Sequence, residues 1–313
     1  MTSNAALITG CSTGIGRATA LALARAGYPT WATARRLDTL AELRAAGCRV
    51  QQLDVTDEEA ITRVVRAVEE EHGAVGTLIN NAGRGGGGPV EEIPLALVRE
   101  VFETNVFGLI RMCQLVLPGM RRQHSGTIVN LGSAAGLVTP PTGCPYAMTK
   151  YALESLSDSL RQEVAPFGVN VVLVEPGAVR TEFMASSERH NPRTGGDGPY
   201  EGFKQSVARM VERAHREGAR DVLSAEDVAK VIVRAVAARR PKARYKVGPR
   251  PASPRWPGAS WAIAAGTRSC AAWCRSPSTD RRTRTAGPGP PHLVDRWVWA
   301  RGLVTPLGSS FCR

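Results

Sequence analysis

The chain has 313 residues, seven cysteines and a formal net charge of +12. That length can hold one large α/β domain with a substantial core. It contains no zinc-type cysteine spacing and no run of the ~18 apolar residues that a membrane span needs. The charge is uneven. Residues 252–313 carry nine Arg and two Asp, against 31 basic and 26 acidic residues before them. The body is therefore only mildly basic, and no nucleic-acid partner is expected.

Along the chain, apolar runs of β type alternate with segments of helical period. Strands are expected near 5–9, 29–34, 49–53, 76–80, 126–131, 169–175 and 244–247. Helices are expected near 15–26, 38–46, 57–72, 95–122, 147–165 and 225–239. This alternation calls for a parallel sheet covered by helices on both faces. The first strand starts by residue 5, leaving no room for a secretory leader, and scattered free thiols suit a cytoplasmic protein. Thr56 with Glu59, and Ser224 with Asp227, have the spacing of capping boxes. Residues 184–220 read as a polar insertion with Gly195, Gly196, Gly198 and Pro199.

Three segments carry chemistry. The first strand runs into Gly10, Gly14 and Gly16, and a helix-forming stretch follows. Glycines let the backbone approach a pyrophosphate, and a helix N-terminus offers free N–H groups and a positive dipole end. Tyr146 and Lys150 stand one helical turn apart, so phenol and ammonium share a face. Bringing a phenol from a pKa of about 10 to neutrality takes roughly 4 kcal/mol. A cation about 4 Å away supplies that much at an effective dielectric of about 20, before any desolvation cost. Asn105 sits inside a long helix, where Asn is a poor former and needs a reason.

These segments together resemble the short-chain dehydrogenase/reductase family. Thr9-Gly10-x-x-x-Gly14-Ile15-Gly16 is similar to its cofactor loop, and Asn80-Asn81-Ala82-Gly83 to the segment after its fourth strand. Asn105, Ser133, Tyr146 and Lys150 match its catalytic tetrad, and Pro176-Gly177 with Thr181 the loop that closes on the nicotinamide. The likeness runs from residue 5 to about Gly248. It implies a single Rossmann-type, doubly wound parallel sheet of about seven strands in residues 1–250, with 184–220 as a lid over the substrate. It also implies a carbonyl–alcohol oxidoreductase. Tyr146 would exchange the proton, Ser133 would bind the substrate oxygen, and Lys150 would lower the phenol pKa and hold the nicotinamide ribose. Asn105 would kink its helix and extend a proton relay through water.

On the same basis the cofactor lies against Gly10, Ser12, Thr13, Gly14, Ile15, Gly16 and Arg17. Asp54 and Val55 lie at its adenine, with Asn81, Ala82 and Gly83, then Pro176, Gly177, Val179 and Thr181, along the rest. Asn105, Tyr146 and Lys150 complete the set. The second strand runs into Arg35-Arg36 with no acid before Asp38, which favours NADP over NAD, with Arg17 as a second clamp. Ser133, Ala135, Cys144, Tyr146 and Phe183 line a largely apolar substrate site. No metal is expected. Family members pair through the helices matching 95–122 and 147–165, so a homodimer or homotetramer is expected.

Residues 251–313 read differently. Five of the six tryptophans lie there, Lys and Glu do not occur between 252 and 313, and Arg, Pro, Ser and Gly dominate. Two readings stand: departure from the ancestral frame near Pro249–Ser253, or a disordered tail. The tail also leaves room for a cofactor-binding sensor or scaffold that no longer turns over.

Overall fold

Leu7 and Ile8, neighbours on one strand, join different cores. Leu7 packs with Leu78, Ile128 and Leu173, whereas Ile8 packs with Ile79, Val129 and Val172. Side chains alternate faces along a strand, so a strand apolar at every position must be covered on both sides. The computed structural model, which describes residues 2–188, 191, 198–214 and 222–248, shows how. The strands are β1 (Ala6–Ile8), β2 (Thr30–Ala34), β3 (Arg49–Gln52), β4 (Thr77–Asn80), β5 (Gly126–Leu131), β6 (Val169–Pro176) and β7 (Arg244–Val247). They form one sheet of seven strands in the order β3-β2-β1-β4-β5-β6-β7, with every neighbouring pair parallel. The order reverses between β1 and β4, and the crevice beyond their carboxyl ends is where such sheets bind ligands.

The helices are α1 (Gly14–Arg25), α2 (Ala41–Ala45), α3 (Glu58–His72), α4 (Leu95–Phe102), α5 (Gly108–Arg122), α6 (Cys144–Val164), α7 (Phe183–Glu188), α8 (Glu201–Ala214) and α9 (Ala225–Ala237). Leu23 of α1, Leu43 of α2 and Ile232 of α9 cover one face. Val64 of α3, Met112 of α5 and Leu153 of α6 cover the other. Among the described residues no helix is long and apolar enough to cross a membrane.

Three local expectations change. The helix expected at 95–122 is two helices joined by one π-helical turn, Glu103–Phe107, that contains Asn105. The cap of α3 is Asp57, whose carboxylate accepts from the Ala60 N–H, and not Thr56. Thr56 is already engaged, because its N–H and hydroxyl both donate to Asp54 at 3.0 and 2.8 Å. The insertion after β6 contains α7 and α8 where no helix was expected. The Ser224–Asp227 capping box is formed in full. Residues 189–190, 192–197 and 215–220 of the expected lid, and the whole expected tail 251–313, lie outside the described residues.

Candidate active site

The site residues expected from the sequence lie in the turns that follow β1 to β6 or on the helices those turns lead into, with Asn105 in the π-helical turn and Tyr146 and Lys150 on α6. After β1 the chain enters a glycine turn in which Gly10 and Gly14 have φ of +73° and +56°, a region L side chains rarely occupy. Gly14 lies against Thr181 from the far side of the crevice, since a Cβ there would meet Thr181 Cγ2 at 3.0 Å. Gly16 admits no side chain at all, being pressed on the Gly10 carbonyl and Asn81 Nδ2. Thr13 starts α1 in extended conformation with no side-chain cap, so the first-turn N–H groups, with Ser12 and Ile15 beside them, face a partner other than a capping side chain. This open, Cβ-free cradle fits a dinucleotide pyrophosphate.

The cradle is braced from β4. Asn81 Nδ2 donates to the carbonyls of Thr9 and Gly10, each at 2.9 Å. The N–H groups of Asn81 and Ala82 donate to Thr9 Oγ1 at 3.1 and 2.9 Å. Thr9, which opens the cofactor-loop motif, is thus an organiser, a role the motif alone does not assign; its hydroxyl is buried. Gly83 leads on to Asn105, whose Oδ1 is 3.6 Å from where a Gly83 Cβ would stand.

Asn105 is 2% exposed, and its side-chain amide is fully committed. Oδ1 accepts from the Arg84 N–H, and Nδ2 donates to the Arg84 carbonyl and to Thr149 Oγ1. Thr149 in turn donates to the Tyr146 carbonyl at 2.7 Å. Thr149 was missed by the sequence reading. Its position between Tyr146 and Lys150 was the available clue.

Ser133, just past β5, stands close enough to the Tyr146 hydroxyl to draw its pKa down and accepts from the Ala135 N–H at 3.1 Å. The Tyr146 ring also meets Phe183 of α7, with centroids 5.4 Å apart. Lys150 is 6% exposed. Its Nζ donates to the Leu131 carbonyl at 2.6 Å and stands 5.4 Å from the centre of the Tyr146 ring.

The electrostatics correct one expectation. Burial pushes the Tyr146 phenol up to about 12, with the Ser133 contact acting the other way. Burial also pushes Lys150 down to about 8. The Coulomb gain weighed from sequence is outrun by desolvation of both partners. Below about pH 8 the site therefore holds a neutral phenol beside an ammonium.

Other expected residues divide. Arg17 forms an ion pair with Glu42, so the second clamp is already engaged. Arg35 is exposed at the end of β2 and has no ion-pair partner among the described residues. Asp54 turns one carboxylate oxygen to Thr56. Val55 packs its side chain into the core, leaving only its backbone for a ligand. Val179 bridges to Leu223 beyond Pro176 and Gly177. Cys144 lines a cavity of about 410 Å³ with Pro89, Val90, Pro140, Pro141, Tyr200 and Phe203. Cys11 is instead a packing residue, fully buried, its thiol pushed up to about 12. Among the described residues no group of three or more His, Cys, Asp or Glu could hold a metal ion.

Comparison with known proteins agrees with this architecture. Residues 4–192 match the family model described as short chain dehydrogenase. An uncharacterized oxidoreductase of Bacillus subtilis, YusZ, is 39% identical over 195 residues, 60% of this chain and 69% of that protein. Human 17-beta-hydroxysteroid dehydrogenase type 1 is 37% identical over 261 residues, 78% of this chain and 77% of that protein. The solved structure of serine dehydrogenase in closed form with NADP+ superposes with a TM-score of 0.68 at 27% identity. The match covers 80% of this chain and 96% of that one.

Proposed function

The chain belongs to the short chain dehydrogenase family, a dehydrogenase/reductase acting on CH–OH and C=O groups, and from that premise we propose an NADP-dependent enzyme that reduces the carbonyl of a hydrophobic small molecule. The observation that carries this reading is the Tyr146 hydroxyl against Ser133, with Lys150 one helical turn further along α6. A bound nicotinamide supplies or accepts the hydride. The chain's own groups do the rest.

Ser133 orients the substrate oxygen, and its hydroxyl favours the negative charge that develops there. Tyr146 releases its proton to that oxygen. A phenol held protonated at neutral pH is in the state a carbonyl reduction needs. Lys150, fixed by the Leu131 carbonyl, keeps a positive charge beside the ring and stabilises the phenolate left behind. Asn105 is a positioning residue: it holds the 82–84 segment and, through Thr149, the start of α6. Oxidation of an alcohol runs the same proton path in reverse.

NADP is favoured by Arg35, an exposed guanidinium at the end of β2 with no acid nearby before Asp38. The relative that acts on hydroxysteroids and the cavity walled by Pro89, Val90, Pro140, Pro141 and Phe203 both favour an apolar substrate. Pairing of copies through α5 and α6 is favoured by exposed Phe107, Met148 and Tyr151 on those helices or the turn before them. The test is NADPH consumption, followed by absorbance, over a panel of hydrophobic ketones, aldehydes and hydrophilic sugar acids. Turnover confined to the sugar acids, or none with any carbonyl, would overturn the reading.

A further inference from the structure

Helix α6 carries an acidic continuation of its catalytic stripe. Tyr146, Lys150, Glu154 and Asp158 follow at four-residue intervals, so one face of the helix presents all four. The last two meet the edge of the sheet. Glu154 Oε2 accepts from Arg244 Nε of β7 at 2.9 Å, and Asp158 Oδ2 from Arg244 Nη2 at 2.6 Å. Glu154 Oε1 has no hydrogen-bond donor.

Opposite it stands Glu175 of β6, 3% exposed. Neither of its carboxyl oxygens meets a donor, and its side chain stands close enough to that of Glu154 for the second carboxyl to push it up. Two carboxylates are acceptors only. Facing each other in a buried site they repel, unless one carries a proton and becomes a donor.

The charges around the pair relieve it only in part: Lys246 and Arg244 draw the Glu175 carboxyl down, but by less than burial and Glu154 push it up. Arg244 is shared by Glu154 and Asp158, and Asp158 is also held by Arg161. Lys246 pairs with Glu175 in strand register, yet it is exposed and places no nitrogen on the carboxyl. Lys150, one turn before Glu154, is turned to the Leu131 carbonyl. Burial, with the Glu154 contact adding to it, holds the Glu175 carboxyl up at about 7.

We propose that Glu175 and Glu154 hold one proton between them at neutral pH, and that this proton fastens the end of β6 to α6. The next residues are Pro176 and Gly177. The Gly177 N–H is tied to the Val247 carbonyl at 2.8 Å, and the chain then runs to Thr181 against Gly14. Glu175 is thus a positioning residue for the loop that closes the crevice. When the proton leaves for solvent, two like charges face each other behind that loop and push β6 and α6 apart.

The pair itself can be read without turnover. Difference infrared spectra of the full chain should show the carbonyl stretch of a protonated carboxyl at neutral pH. It should fade on alkalinisation and be missing from both Glu175→Gln and Glu154→Gln. The consequence for the crevice rests on the reading of it as a cofactor site, and NADPH affinity measures it. In the wild type the Kd should rise several-fold as the band fades, beyond the dependence that Lys150 gives both proteins, whereas Glu175→Gln, which keeps a neutral donor, should show the Lys150 dependence alone. Absence of the band at neutral pH in the wild type, or its persistence in the variants, would overturn the shared proton. Identical pH dependence of Kd in wild type and Glu175→Gln would overturn the positioning role. Failure of NADPH to bind either protein would count against the cofactor reading and leave the infrared result to decide the pair.

Discussion

Asn105 grips Arg84 with both ends of its side-chain amide, accepting from the backbone N–H at 2.7 Å and donating to the carbonyl at 2.9 Å. That bidentate contact explains why a poor helix former sits between α4 and α5. The π-helical turn at Glu103–Phe107 interrupts the regular ladder, which turns the amide into the crevice edge. Replacing Asn105 by Ala leaves the Arg84 N–H and carbonyl and the Thr149 hydroxyl short of a partner. At about 1–3 kcal/mol for a buried group left unpaired, Asn105→Ala should lower stability by roughly 2–4 kcal/mol. Chemical denaturation measures this. An unchanged midpoint would contradict the bracing role.

Arg35 and Arg17 should separate in cofactor binding. Arg35→Ala should weaken NADPH by roughly tenfold or more, the size of one charge-assisted hydrogen bond, and leave NADH little changed. Arg17 is held by Glu42, so Arg17→Ala should have a smaller effect than Arg35→Ala. Fluorescence titration with both cofactors distinguishes them. Equal losses for NADPH and NADH in Arg35→Ala would remove the case for a phosphate clamp.

Lys150 should impose an alkaline limb on activity. Burial holds its amine down at about 8 from an ordinary 10.5, so the ammonium is present at neutrality and lost as pH rises through about 8. Carbonyl reduction should decline over the same range. The stability sign is opposite. Between about 8 and 10.5 the unfolded chain still holds a proton that the folded chain has released, so the Lys150 contribution to stability grows as pH rises. As pH falls through about 8 that contribution is lost. Lys150→Met should lack this rise in denaturation midpoint. The same rise in that variant would rule out the assignment.

Helix α8 is tied down by polar contacts. Lys204 meets Glu92 at 3.0 Å, and the Tyr200 hydroxyl, just before the helix, donates to Glu91 at 2.6 Å. These two contacts hold α8 to the 91–92 turn beside the cavity that Cys144 and Phe203 line. Glu92→Gln should raise KM for an apolar substrate several-fold with a smaller change in kcat. Steady-state kinetics in the two proteins test this, and a change in kcat alone would place these contacts outside substrate binding.

What the residue order revealed was whatever local chemistry decides. A strand apolar at every position, such as Ala6–Ile8, announced a sheet covered on both faces. Ser224 and Asp227 announced their cap because Lys230, the other partner of Asp227, takes Oδ1 and leaves Oδ2 to the cap. Thr56 failed as a cap because Asp54, two residues earlier, takes its hydroxyl and N–H, and Asp57 is left to do the work. The lid helices were hidden because α8 is polar on much of its surface and lies between glycine-containing segments. The direction of the Tyr146 shift was hidden for a different reason. Spacing shows that a lysine is near, but not that both groups are desolvated, and the larger effect comes from desolvation.

In the proposed reaction, turnover depends on proton release from the Tyr146 hydroxyl. The decisive measurement is the rate of NADPH-dependent carbonyl reduction by wild type and Tyr146→Phe, with NADPH affinity determined on the same preparations. Loss of a positioned general acid should lower the rate by about 10²- to 10⁴-fold with affinity essentially unchanged. A phenylalanine variant that reduces the substrate at the wild-type rate would contradict it.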